Sequence, residues 1–297
     1  MEISVDKRQL EYFLAVVQHE NVSRAASYLH VSQPTVSVAI RGLEKEVGGA
    51  LFERTPTGLI PTPAGRALIE PARQTARDFE VALECTRDAL GLAGGHLHIG
   101  TVPAVHAGWL TDVLAQFRAA YPEVAIRVVA DADDRVIAEG VRTGQFNLGL
   151  TVSESAASGL SRSRVGTQQV AALLPPGSEK SGEAVDIDVL ATMDLITMPR
   201  EKSTARRWFE QVLQTRSTRP RTCIEMSSID GLLPLVTAGA GYALWWTPMA
   251  AAMVGQCVLR PIEPRLERPI YLVFRNGPHP PSTRAFMDVA GAAAALD

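Results

Sequence analysis

Cysteine is scarce in this chain: Cys85, Cys223 and Cys257 stand far apart among 297 residues, with no Cys-x-x-Cys spacing. That excludes a disulfide framework and a thiolate metal cluster, and inert, buried thiols are expected. No apolar run approaches a membrane span, and the opening Met-Glu-Ile-Ser-Val-Asp-Lys lacks the apolar stretch of a signal peptide. A cytoplasmic protein with no membrane partner is therefore expected. Enzyme signatures are missing too. There is no Gly-x-Ser-x-Gly, Walker loop or dinucleotide fingerprint. His96 and His98 share a strand face but have no third ligand at useful spacing. Asp131, Asp133 and Asp134 read as a turn followed by a helix start. We expect no catalytic residue, no metal and no cofactor.

What is present is an ordinary globular composition, 46% hydrophobic and 21% charged, in a chain long enough for two or three domains. Residues 21–43 carry the densest information. They read as two short helices joined by a tight turn. Ser23 is the expected cap of the first, with Ala25, Ala26 and Leu29 facing inward. Ser32 is the expected cap of the second, and Pro34 lies in its first turn, where a missing N–H costs nothing. Val36, Ile40, Leu43 and Val47 form one buried stripe. Pro34, Thr35, Val38, Arg41 and Lys45 lie opposite, with Gln33 and Ser37 at the margins. A helix with a small, hydrogen-bonding outer face suits a DNA major groove.

Charge alone does not announce a DNA-binding unit. Residues 1–62 hold Lys or Arg at 7, 8, 24, 41, 45 and 54, against Asp or Glu at 2, 6, 11, 20, 44, 46 and 53. Phosphate binding then requires the cations to gather on one face, with Arg24, Arg41, Lys45 and Arg54 as candidates.

Ala25-Ala26, Leu29, Ser32-Gln33-Pro34, Ser37, Leu43-Glu44, Gly48, Leu51-Phe52-Glu53-Arg54 and Thr62-Pro63-Ala64-Gly65 stand in a characteristic order. The chain resembles the LysR-type transcriptional regulators, densely over residues 7–90 and more loosely to about residue 290. Before the motif, a helix at about 7–20 is capped by Asp6 with Gln9, and Leu10, Phe13, Leu14 and Val17 face inward. After it, residues 51–60 read as a hairpin, which the resemblance makes the wing of a winged helix-turn-helix, with Arg54 and Thr57 near the phosphates or the minor groove. A long helix follows, capped by Thr62. Leu68, Ala72, Thr75, Phe79, Ala82, Thr86 and Ala89 form a weak coiled-coil seam, and Pro71 is expected to kink it. The resemblance pairs this helix with a second subunit, in a homodimer or homotetramer. Gly91, Gly94 and Gly95 mark a joint.

From residue 96, strand-like and helix-like segments alternate, as in an α/β domain with a largely parallel sheet. Strands are expected at 97–100, 124–130, 148–151, 170–174, 195–198, 222–226, 242–245 and 270–275. Residues 117–124 and 236–243 resemble the LysR-type sensor domain, which is similar to a periplasmic binding protein with two sub-domains and a cleft. Asn147 departs from the family, which usually has aspartate there. The expected organisation is a winged helix-turn-helix at 1–62, a linker helix at 63–92 and an effector-binding domain at 93–297. Sub-domain I covers about 93–170 and 270–297, and sub-domain II about 171–269.

Ligands bind beyond the carboxyl ends of parallel strands. That rule selects Thr101, Val102, Pro103, the stretch from Met198 to Thr204, Ser227-Ser228, and Trp246 with Thr247. Ser203-Thr204 and Ser228 open helices, whose N-termini favour anions, and Arg200 suits a carboxylate. Trp245 and Trp246 point in opposite directions, with Trp246 the choice for the cleft. The resulting expectation is a regulator of transcription. Double-stranded operator DNA is contacted by Arg24, Ser32, Gln33, Pro34, Thr35, Ser37, Val38, Arg41, Arg54 and Thr57. A small effector, an organic anion, is held by Thr101, Val102, Pro103, Arg200, Ser203, Thr204, Ser228, Trp246 and Thr247. The alternatives are a cytoplasmic small-molecule-binding protein, or a redox-responsive regulator using Cys223 and Cys257.

Overall fold

Asp6 opens the first helix: it accepts the Gln9 N–H at 2.8 Å, while Gln9 Oε1 accepts the Asp6 N–H at 3.0 Å. Two donors that a helix start leaves unpaired are thereby satisfied. The computed structural model describes residues 5–56, 58–89, 94–178, 183–216, 220–246 and 257–294. They belong to two units, Met1–Leu92 and Ala93–Asp297.

The first unit holds α1 (Lys7–His19), α2 (Val22–Tyr28), α3 (Gln33–Val47), the hairpin β1 (Phe52–Thr55) and β2 (Gly58–Pro61), and α4 (Pro63–Ala89). Asn21, and not Ser23, caps α2. Its Oδ1 accepts the N–H of Ser23 at 2.8 Å and of Arg24 at 3.1 Å, because Asn21 is still extended where Ser23 is already helical. Ser32 caps α3 through the Thr35 N–H at 3.3 Å. Leu10, Phe13, Val16, Ala25, Ala26, Val36, Ile40, Leu43 and Leu51 form the core. Ala15 and Val16 are buried more deeply than Leu14 and Val17, and Val47 is 48% exposed at the end of α3, outside the stripe. The hairpin is tied down by the Leu59 N–H on Glu20 O at 2.9 Å.

Thr62 caps α4, accepting the Gly65 N–H at 3.1 Å. The helix continues through Pro71. Leu68 and Ala72 pack on the core, but Thr75, Phe79, Ala82 and Thr86 are exposed, Phe79 by 48%. The Ala89 side chain and Gly91 lie outside what is described.

The second unit begins with β3 (His96–Thr101), α5 (Pro103–Val105), a wide helical turn over His106–Leu110 and α6 (Thr111–Ala120). β4 (Ala125–Ala130), α7 (Asp134–Thr143) and β5 (Leu148–Thr151) complete a first lobe. β6 (Ser161–Leu174) leads into a second lobe of β7 (Val185–Asp186), α8 (Ile187–Thr192), β8 (Asp194–Thr197), α9 (Thr204–Gln214), β9 (Arg221–Glu225), α10 (Leu232–Thr237) and β10 (Ala243–Trp246). β11 (Val258–Phe274) returns to the first lobe, where α11 (Pro281–Ala294) packs.

Within the lobes, β3 pairs parallel with β4 and β5, and β8 with β9. Apart from a short parallel pair of β7 with β11, the remaining strand pairings are antiparallel, in place of the expected largely parallel sheet. β6 and β11 are antiparallel to each other along most of their length and join the lobes as a two-stranded strap. The strap's register shifts between Pro261 and Leu266 and again between Ile270 and Tyr271. Both strands extend well beyond the 170–174 and 270–275 segments legible in the sequence.

Candidate functional site

The ends of β3 and β8 and the start of α9 meet in one cavity of about 520 Å³, its open mouth included. The first lobe supplies Val102, Pro103, Ala132 and Val152, and the second supplies Ile196 to Met198, Ser203 to Arg206, Ile229, Leu232, Leu244 and Trp246. Arg268 enters the wall from the strap. Its walls are mainly apolar, with a few polar side chains set among them.

Five of the effector residues expected from the sequence line this cavity: Val102, Pro103, Ser203, Thr204 and Trp246. Three stand elsewhere. Thr101 is fully buried beneath the wall, with its hydroxyl turned to Val102 O at 3.2 Å. Ser228 is exposed and caps the one-turn helix Ile229–Gly231 through the Asp230 N–H. Arg200 faces outward and gives its Nε to Glu210 at 2.7 Å, because its own short helical turn, Arg200–Lys202, points it away from the lobe interface. Thr247 lies outside the described residues.

Ser203 caps α9, its Oγ accepting the Arg206 N–H at 3.2 Å. Thr204 donates its hydroxyl to Asp134 Oδ1 at 2.6 Å, and its N–H to Ala132 O at 3.1 Å. Arg207 Nη2 reaches Asp133 Oδ1 at 2.8 Å, and Arg135 Nη2 reaches Glu201 O at 2.7 Å. The lobes are thus bound together by hydrogen bonds from α7 to the start of α9.

Burial works to raise the Asp133 pKa, but hydrogen bonds from Arg135 and Arg207 outweigh it and hold the carboxyl below its ordinary range. Asp134 goes the other way: burial raises it against the opposing Thr204 hydroxyl and Arg207 charge.

Arg268 is the cavity residue that the sequence reading missed. Leu266, Arg268 and Ile270 alternate inward along β11, so the signal was a cation at a strand's buried register. Pro264 and Pro269 obscure that register by interrupting the strand pattern.

On the first unit, Arg24, Ser32, Gln33, Pro34, Thr35, Val38, Arg41 and Arg54 are all exposed, and Ser37 is half-buried. Val38 is 60% exposed on a helix whose other face forms the core, a large apolar side chain left in water. Gln33 and Arg54 line one notch with Asn21, Ser23 and Thr55, so the start of α3 and the hairpin share a surface. Thr57, at the hairpin tip, lies outside the described residues.

Residues 68–295 match the model of the LysR substrate binding domain, and residues 8–66 match that of the bacterial regulatory helix-turn-helix protein, lysR family. The chain belongs to the LysR family of transcriptional regulators. As a LysR-type regulator it carries a DNA-binding helix-turn-helix ahead of a substrate-binding domain, and it is not an enzyme. It is 28% identical over 293 residues to the HTH-type transcriptional regulator TfdS of Cupriavidus pinatubonensis, covering 95% of this chain and 97% of that one. It is 27% identical over 249 residues to the nitrogen assimilation regulatory protein nac of Escherichia coli, covering 84% and 80%.

Among solved structures, this LysR-type chain superimposes on CbnR, a LysR family transcriptional regulator, with a TM-score of 0.65 at 23% identity, covering 97% and 99%. HinK, a LysR family regulator from Pseudomonas aeruginosa, gives a TM-score of 0.58 at 25% identity, covering 99% and 100%. At such identities the likeness to CbnR shows the fold alone. No helix among the described residues is long and apolar enough to cross a membrane.

Proposed function

We propose that this LysR-type regulator works in the cytoplasm as a homo-oligomer, reads operator DNA with α3 and the β1–β2 hairpin, and responds to a small organic anion in its second unit. The observation that carries the effector reading is the cavity between lobes that are strapped on one side and hydrogen-bonded on the other. Such an arrangement has an open and a closed form, and a ligand that binds one form better shifts the balance. The partial positive charge at the start of α9 and the cation of Arg268 both favour a negative ligand.

Exposed Gln33, Thr35, Val38 and Arg41 on one short helix support base contact, and Arg24 and Arg54 support contact with phosphates. The solvent-facing Phe79 and Leu83 on α4 support pairing with a second subunit. The relative CbnR has been solved with its target DNA.

Footprinting on the DNA upstream of the protein's own coding region, with and without small carboxylates, tests the reading. Protection of a partly palindromic site whose extent changes with one carboxylate is the expected result. A footprint indifferent to every small molecule would leave a DNA-binding protein without an effector.

A further inference from the structure

Two arginines stand in the cavity wall, and they are in different states. Arg206 is committed: Nε donates to Glu210 at 2.9 Å, and Nη1 donates to Met198 O and to Glu225. Arg268 is only 3% exposed, and its one hydrogen bond shown is from Nε to the neutral Gln168 Oε1 at 2.9 Å. Its Nη1 has no partner among the described residues. The rings of Trp208 and Trp246 lie 5.6 and 5.5 Å from its guanidinium carbon, a partial substitute for an anion. Burial lowers its pKa only to about 10, so it stays cationic near neutrality. A buried cation is normally paired.

A second donor is free beside it. Trp246 lines the same cavity, and its buried Nε1 has no partner among the described residues either. By donor count, one guanidinium edge and one indole N–H are enough for the two oxygens of a single carboxylate. The other polar side chains at the start of α9 are bound within the protein: Ser203 caps the helix, and Thr204 holds Asp134. A phosphate, with more oxygens and more charge, would find too few donors. Val102, Val152, Ile196, Leu232 and Leu244 fill much of the remaining wall, so the rest of the ligand meets hydrocarbon.

We propose that Arg268 is the anion anchor of this cavity, and that its ligand is a monocarboxylate on a compact apolar body, aromatic or alicyclic. The proposal rests on the effector reading given above and narrows it. Arg268 faces Gln168 in register on the strap, so an anion drawn to it loads the segment between the two register shifts. The same anion repels Asp134, the carboxylate whose field reaches Arg268 and whose bond to Thr204 closes the lobes. Occupancy and closure are coupled through one charge.

The test uses the full-length protein and its intrinsic fluorescence. All four tryptophans, at 109, 208, 245 and 246, belong to the second unit. Benzoate and cyclohexanecarboxylate serve as probes, with benzamide and inorganic phosphate as controls. The expected result is saturable quenching by at least one carboxylate and by neither control. Arg268→Met should weaken that carboxylate by about tenfold to a hundredfold, and Arg268→Lys by less.

Without ligand, Arg268→Met should melt at or above the wild-type temperature, since it removes an unpaired buried charge. A clear fall in melting temperature, or failure to fold, would make Arg268 a structural residue and overturn the proposal. So would equal binding by the Met variant, equal binding of benzamide, or no binding of either carboxylate to the wild type. Footprints with the same compounds separate the two readings. If succinate, added to that set, shifts the footprint of the Met variant as it does that of the wild type while the monocarboxylates shift neither, the effector reading survives and the Arg268 anchor falls. If carboxylates bind through Arg268 but no footprint responds, the anchor survives and the effector reading falls.

Discussion

Thr204 and Asp134 hold each other across the lobes of the second unit. The Thr204 hydroxyl donates to Asp134 Oδ1 at 2.6 Å and accepts the Asp134 N–H at 3.0 Å. It also accepts Arg207 Nη2 at 2.9 Å. A hydroxyl has one proton and two lone pairs, so all of its capacity is used. In this closed arrangement Thr204 has nothing left for a ligand, and its geometry suits a closure group.

Replacing Thr204 by valine keeps the shape and removes these bonds. Asp134 is then left buried with its Thr204 partner gone, and the second unit should lose about 1–3 kcal/mol. Urea denaturation followed by tryptophan fluorescence reads that unit selectively. A midpoint unchanged by Thr204→Val would mean that this pair does not hold the lobes.

The two neighbouring aspartates should give opposite pH profiles. Burial raises the Asp134 pKa above its ordinary 3.8, so its contribution is full below that value and is lost as pH rises through the folded pKa. Asp134→Asn mimics the protonated form. It should therefore raise the urea midpoint near neutrality, with a gain that disappears on acidification towards 3.8. In Asp133, burial is outweighed by Arg135 and Arg207, and the folded pKa lies below the ordinary value. Its contribution is present above that value and lost in acid, so Asp133→Asn should lower the midpoint near neutrality. Parallel pH profiles for the two variants would contradict this division.

Local signals were the legible ones. Asp6, Ser32 and Thr62 each cap the helix that the sequence assigns them, because a cap acts over three residues. Asn21 and Ser23 are both good caps, and only the backbone decides between them. The glycine of Thr62-Pro63-Ala64-Gly65 has a plain physical reason: a Cβ at Gly65 would sit 2.1 Å from Leu51 O. The cavity was legible through the strand ends, which bring Val102, Pro103, Ser203 and Thr204 together. Its arginine was not. Arg200 sits beside the right helix, but a one-turn helix sends it outward, whereas Arg268 arrives from a strand distant in sequence. Which long-range strand crosses the cleft is set by pairing between β6 and β11, and no local pattern encodes that.

The first unit should divide its labour between bases and backbone. Gln33→Ala should cost about 1–3 kcal/mol on the operator and much less on unrelated DNA, since base edges carry sequence discrimination. Arg54→Ala should weaken both, and should lower the slope of log affinity against log salt by about one. Equal loss on both DNAs for both variants would remove the distinction drawn between the α3 start and the hairpin.

Asn147 tests whether an amide can stand where the family resemblance leads one to expect a carboxylate. Its N–H donates to His98 O at 2.8 Å, and its Oδ1 accepts the His98 N–H at 2.8 Å, so it clasps β3 from both sides. The acceptor atom, and not the charge, makes the clasp. Asn147→Ala leaves the His98 N–H without this partner and should cost the second unit about 1 kcal/mol. Asn147→Asp keeps an acceptor and should stay within about 0.5 kcal/mol of the wild type near neutrality, since a charged acceptor strengthens the bond while losing more hydration. Urea midpoints by tryptophan fluorescence distinguish the two. An aspartate variant as unstable as the alanine variant would show that this site has adapted to a neutral side chain, and that the clasp depends on more than an oxygen within reach of His98.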